Sequence, residues 1–209
     1  MKSNLMILPS SVKSWYLNLM KPVFDFFIEL ELNPNFFTTI GFILSIISAY
    51  LFATGSLRLA GALVLLAGTF DIIDGRVARA TNRVTKFGAL YDSTLDRYSE
   101  VIVFFGLAYY FVSQGMLITS TAVFVALGGS IMVSYVRARA EGLGFECNVG
   151  LMQRPERIVY LGVSALIHKY LLIIAIMLIA VLANYTAIQR LYHVWKKENG
   201  AKFEKLEDA

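Results

Sequence analysis

Four aspartates stand where carboxylates are costly. Asp71 and Asp74 follow the apolar run 59–70, and Asp92 and Asp96 precede the apolar run 101–112. An ionised Asp at bilayer depth costs about 2.5–3.5 kcal/mol on insertion scales, so four of them require a compensating partner. Hard divalent cations take oxygen ligands, which makes a carboxylate-bound ion the partner that fits best. Residues three or four apart share a helix face, so each pair projects to one side of its helix. The turn between the two segments is short, near residues 81–85. Asp74 and Asp92 then lie roughly 12–15 Å from it, at about 1.5 Å of rise per residue. Antiparallel neighbouring helices would gather all four carboxylates at one depth, where without a cation they would repel one another. Mg²⁺ or Mn²⁺ is expected there, two ions being the expected number, an arrangement suited to displacement at phosphorus. The competing account is pairing with Arg76, Arg79 or Arg97, although Arg79 is five residues from Asp74 and Arg97 is adjacent to Asp96 and points elsewhere.

The elements that must hold these acids follow from composition. The chain has 209 residues and is 57% hydrophobic, with apolar runs near 20 residues. That reads as an all-α integral membrane protein. Six transmembrane helices are expected at residues 35–54, 57–81, 85–113, 116–141, 155–167 and 170–194. The fifth is short for a span unless it tilts or the bilayer thins. Before them, residues 11–32 mix Trp15, Phe24, Phe26 and Phe27 with Lys13, Lys21, Asp25 and Glu29, and Pro22 breaks or kinks the stretch. This suits an N-terminal interfacial amphipathic helix lying on the membrane. Residues 1–195 form a single membrane domain, its first 32 residues the interfacial region. Residues 196–209 form a polar tail, disordered or a short surface helix. With six spans and the N-terminus inside, only Arg58 and Lys169 of the 19 Lys and Arg fall outside. Both termini and the acidic pairs are therefore expected on the cytoplasmic side of a cell membrane. The net charge of +4 reports this topology and anionic headgroups rather than nucleic acid. No cleavable signal is expected, since the first 20 residues lack a long apolar core followed by small residues. The single Cys147 excludes an intrachain disulfide. His168 and His193 lie away from the acids, and Trp15, Tyr16, Tyr170, Tyr192 and Trp195 fit interfacial belts.

The acidic residues also carry a pattern. The order Asp71-x2-Asp74-Gly75-x2-Ala78-Arg79-x8-Gly88-x3-Asp92-x3-Asp96 resembles the signature of the CDP-alcohol phosphatidyltransferase family, D-x2-D-G-x2-A-R-x7–8-G-x3-D-x3-D, with every signature position filled. The resemblance extends over the six-helix layout and the segment Asn33-Pro34-Asn35-Phe36-Phe37-Thr38. It implies transfer of a phosphatidyl group from CDP-diacylglycerol to an alcohol with release of CMP, in a homodimer with a cytoplasm-facing cavity in each subunit. By the same resemblance, Asp71, Asp74, Asp92 and Asp96 are the metal-binding aspartates and Asp96 is the general base. Gly75, Arg79 and Gly88 match positions near the CDP-lipid, and Asn35 and Thr38 resemble a motif on the first span that touches the nucleotide.

The loop after the fourth span suggests the acceptor. Arg137, Arg139, Arg154 and Arg157 stand at the cytoplasmic mouth, and guanidinium forks suit a phosphate better than an uncharged hydroxyl compound. An acceptor carrying its own phosphate is expected. The bland account is topology, or pairing with Glu141 and Glu156, Arg137 and Glu141 being four apart on a helix. The run Ser134-Tyr135-Val136-Arg137-Ala138-Arg139-Ala140-Glu141, with Gly150-x2-Gln153-Arg154-Pro155-Glu156-Arg157, is similar to the loop of bacterial phosphatidylinositol-phosphate synthases. Arg137 stands there for a Lys and Gln153 for a Glu. That likeness implies inositol phosphate as acceptor, held by Arg137, Arg154 and Arg157, with Arg139 a further candidate. Glycerol 3-phosphate is the nearest alternative, followed by uncharged inositol or serine. Divalent-cation transport is the remote one, disfavoured because the outer halves of the acidic helices offer few polar ligands.

Overall fold

A computed structural model describes residues 10–207, with side chains placed for residues 14–200. Among the described residues all regular structure is helical. The elements are α1 (Ser10–Leu19), α2 (Lys21–Glu29), α3 (Pro34–Ala53), α4 (Leu57–Ala80), α5 (Lys86–Ser113), α6 (Leu117–Gly142), α7 (Arg154–Ile167) and α8 (Lys169–Glu207). Three helices are long and apolar enough to cross a membrane: Pro34–Ala53, Leu117–Gly142 and the Lys169–Gly200 part of α8, with mean hydropathies of 2.0, 1.8 and 2.5. The 24 residues of α4 and 28 of α5 suffice in length, but both carry the charged groups of the site. At 14 residues, α7 is about 21 Å long, short of a bilayer core.

Local chemistry sets the ends. Asn33 caps α3, its side chain accepting from the Asn35 N–H, and Pro34 occupies the first turn, where its missing N–H costs nothing. Thr85 caps α5 by accepting from the Gly88 N–H at 2.9 Å. The N-terminal stretch is two helices rather than one. The break falls at Met20, so that Pro22 sits in the first turn of α2 instead of inside a helix. Phe24 of α2 is buried with Phe37, Ile73 and Val77, and Arg76 lies over its ring at 4.5 Å, which seats α2 on α4. Helix α8 continues without a break from Lys169 to Glu207, past residue 196, where the polar tail was expected to begin.

The packing departs from expectation at the acids. The segments α4 and α5 were expected to pack as antiparallel neighbours, yet each packs along α3 and their own backbones hardly approach each other. The approach of α5 to α3 is close because Gly106 sits over the Ala49 carbonyl, where any Cβ would collide with backbone. Elsewhere α6 packs on α8 and α7 on α4 and α8, around a core that includes Phe52, Phe104, Leu107, Phe111, Leu172, Ile176 and Ile179. Gly129 of α6 abuts Asn184 of α8, whose amide donates to the Val125 carbonyl at 3.1 Å.

Candidate metal and nucleotide centre

Because α4 and α5 both pack on α3 and not closely on each other, their acidic faces look at each other across a gap. Asp71, Asp74 and Asp92 each place one carboxylate oxygen within 4.8 Å of the others. Each pair is local to its helix, as the spacing predicts, and shared packing on α3 brings the two helices into register. Asp74 is 5% exposed and accepts from the Thr38 hydroxyl at 2.7 Å. One Asp74 oxygen is thereby fixed from α3 while the carboxylate faces the group. Such an outer contact orients a metal ligand and tunes it. Asp92 Oδ1 is buried with no hydrogen-bond partner, an orphan that a cation would satisfy. Three carboxylates this close, one with an orphaned oxygen and one oriented from α3, fit a hard divalent cation.

Asp96 is held differently. Its Oδ2 and the Oδ2 of Asp71 both lie 2.7 Å from one nitrogen, Nη1 of Arg154, at the first residue of α7. The arginine that meets the acids is therefore 83 residues from Asp71 in the chain. None of the three nearby arginines makes an ion pair with the four aspartates among the described residues. Arg76 stacks on Phe24, Arg97 donates to the Ser93 carbonyl of its own helix, and Arg79 folds back so that its guanidinium lies over Gly75. A Cβ at Gly75 would meet only that mobile guanidinium, at 3.3 Å. Gly88 faces Asn35 Oδ1 across the α3–α5 contact, so Asn35, Gly88 and the Thr38–Asp74 bond all lie along the lower part of α3.

The loop arginines separate into different roles. Arg157 is 1% exposed and grips Glu100 of α5 through Nε at 2.5 Å and Nη2 at 3.0 Å, while Nη1 donates to the Met152 carbonyl. Its expected place on an acceptor phosphate is taken by Glu100, so it serves as a tie between α7 and α5. Arg137 pairs with Glu141 at 2.8 Å on the surface, and Arg139 is exposed. Arg190, overlooked in the sequence, is 2% exposed and donates to the Val133 and Val149 carbonyls. With Thr186, which accepts from the Met152 N–H, and Lys197, which donates to the Glu146 carbonyl, it fastens the α6–α7 loop to one face of α8. That fastening sets where α7 begins, and so where Arg154 points. Cys147 is fully buried in the same loop, and burial pushes its thiol above the ordinary value, leaving it protonated and inert.

Below the acids lies a cavity of roughly 50 Å³ between α3, α4, α5 and α7. Its polar side is formed by Asp71, Asp96, Glu100, Arg154 and Arg157, and its deeper wall by Val64, Val103, Phe104 and Leu161. The site is thus closed on its apolar side and polar toward the α4–α5 turn.

Known proteins resemble this chain over most of its length. The profile of the CDP-alcohol phosphatidyltransferase family matches residues 31–196. An archaetidylinositol phosphate synthase of Methanothermobacter thermautotrophicus is 38% identical over 190 residues, covering 87% of this chain and 95% of that protein. A phosphatidylinositol phosphate synthase of Corynebacterium glutamicum is 34% identical, covering 90% and 89%. The crystal structure of the Mycobacterium tuberculosis phosphatidylinositol phosphate synthase with CDP-DAG bound superposes with a TM-score of 0.77 at 30% identity, covering 85% of this chain and 94% of that one. A second structure of that enzyme, in complex with manganese and citrate, gives 0.73 at 33% identity over 83% and 88%. The filled signature, the three-carboxylate group and these likenesses over nearly the whole chain agree: this chain belongs to the CDP-alcohol phosphatidyltransferase family and is a membrane-embedded transferase.

Proposed function

We propose that the protein transfers a phosphatidyl-type group from a CDP-linked lipid to a hydroxyl of inositol phosphate, releasing CMP. The observation that carries this reading is the facing of Asp71, Asp74 and Asp92 across the α4–α5 gap, with Arg154 set against Asp71 and Asp96 beside them. Asp71, Asp74 and Asp92 would hold the divalent cation, with Asp96 completing a second position. Mg²⁺ is the proposed ion and Mn²⁺ a substitute. When bound, the cations offset the charge of the diphosphate and of the departing CMP. The protein's own groups do the rest. Thr38 holds the Asp74 carboxylate in one orientation. Asn35, Gly75, Arg79 and Gly88 receive the cytidine diphosphate, Gly75 by letting Arg79 lie close to the backbone. Asp96 takes the proton of the attacking hydroxyl as its oxygen bonds to the lipid phosphorus and the diphosphate bond breaks. Arg154 and Arg137 receive the acceptor's phosphate.

The surroundings follow the same reading. We place α3 to α8 as six spans, with α4 and α5 carrying charge only where the site needs it. The N-terminal helices α1 and α2 lie at the cytoplasmic interface, with Trp15, Leu19, Phe26 and Leu30 exposed toward lipid. Both termini and the site face the cytoplasm, and two copies form a homodimer. The lipid tails stay in the bilayer while the headgroup enters the polar gap.

The likeness to the archaetidylinositol phosphate synthase favours a second reading of the donor, a CDP-linked ether lipid. The test is CMP release by purified protein with Mg²⁺, CDP-diacylglycerol or its ether-lipid counterpart, and inositol phosphate, inositol, glycerol 3-phosphate or serine. Inositol phosphate is expected to support the fastest turnover. Turnover with free inositol alone would overturn the phosphate argument, and none with any pair would overturn the reading.

A further inference from the structure

The two arginines at the start of α7 differ in what they can give up. Arg157 is buried and held by three hydrogen bonds, so α7 is pinned to α5 at that turn. Arg154, three residues earlier, keeps 21% of its side chain exposed and makes both of its ion pairs through one nitrogen. Its long stem can swing while the helix stays in place. The carboxylate it holds at Asp71 also belongs to the three-oxygen group of Asp71, Asp74 and Asp92. One aspartate therefore serves two cationic partners. A guanidinium beside a divalent ion is repelled by it, and both draw on the same oxygens.

We propose that Arg154 is a displaceable counter-cation: it balances Asp71 and Asp96 in the metal-free site, competes with the divalent ion for them, and on metal loading turns toward an anion at the mouth. The proposal rests on the reading above for the nature of that anion, a phosphate, but its first consequence concerns the metal alone. In the metal-free site Arg154 offsets part of the repulsion among four carboxylates. As the ion binds, the arginine becomes surplus positive charge in the gap, and a phosphate supplies its next partner. The acceptor position is then built only once the metal is in place.

The test measures Mn²⁺ binding without substrates, by electron paramagnetic resonance of the free ion, in wild type and Arg154→Gln. The variant is expected to bind Mn²⁺ at least fivefold more tightly, because the competitor is gone. Equal or weaker binding would overturn the proposal, as would a wild-type protein that binds no Mn²⁺. That last result also removes the metal reading, whereas equal affinities remove only the exchange. A variant too unstable to survive metal-free is purified in Mn²⁺ and its affinity read by titrating a chelator, with the same outcomes. In a second arm, calorimetry with inorganic phosphate is expected to show binding that grows with Mg²⁺ in wild type and grows less in Arg154→Gln. An identical dependence on Mg²⁺ in both would sink the turn toward the anion.

Discussion

The α6–α8 half and the α4–α5 half of the molecule solve opposite problems. Between α6 and α8 the helices touch, Gly129 against Asn184, and apart from Arg190 the buried groups are small or apolar. Between α4 and α5 the backbones stay apart, each packed on α3, and the groups that face the gap are carboxylates. Close packing gives the first half its rigidity. Between α4 and α5 that packing is given up, and the gap is lined by carboxylates instead. Helix α7 joins the two, packed on α8 and α4 and tied to α5 by Glu100–Arg157. Chemistry is thus confined to the α4–α5 gap, and part of its geometry is set by α7, which is packed on α8.

Five substitutions would break or sharpen this contrast. Asp96→Asn, in the open half, is expected to lower kcat by about 10²–10⁴-fold while nucleotide binding and thermal stability stay near wild type. Turnover within tenfold of wild type would remove Asp96 as the base. Glu100→Gln, at the junction, leaves Arg157 buried without its counter-charge and is expected to cost about 3–5 kcal/mol, read as a lowered unfolding midpoint in detergent. A midpoint unchanged within error would mean the tie does not hold α7. Thr38→Val keeps shape but frees the Asp74 carboxylate. It is expected to weaken Mn²⁺ binding about 10–100-fold with little change in stability. Undiminished affinity would show that α3 only spaces the helices. The smallest effects come as a pair. Gly129→Ala forces a Cβ against the Asn184 backbone and is expected to cost about 1–3 kcal/mol. Gly75→Ala meets only the Arg79 guanidinium, so stability should hold while the KM for the CDP-lipid rises. Equal stability losses in both variants would erase the distinction between the halves.

Much of this was legible along the chain, for reasons that differ by residue. The pairing of Asp71 with Asp74, and of Asp92 with Asp96, is a property of helical spacing and needs no partner helix. The boundaries of α3 to α7 follow from apolar runs and from caps such as Asn33 and Thr85, which act within a few residues. Glu100 could have been noticed, since it extends the Asp92–Asp96 face by four, as Arg154 and Arg157 share a face on α7. What could not be read was which arginine meets which acid. The nearby candidates Arg76, Arg79 and Arg97 are local, but their side chains are drawn to a ring, a glycine surface and a carbonyl.

The sequence by itself determined the helices, the acidic faces and the family pattern, because these depend on periodicity and short-range hydrogen bonds. Only the tertiary structure decided that both acidic helices pack on α3, that Arg154 reaches Asp71 and Asp96, and that Arg157 belongs to Glu100. Those outcomes depend on where Gly106 allows two backbones to approach and on how α8 fastens a distant loop, and helical periodicity carries no record of either.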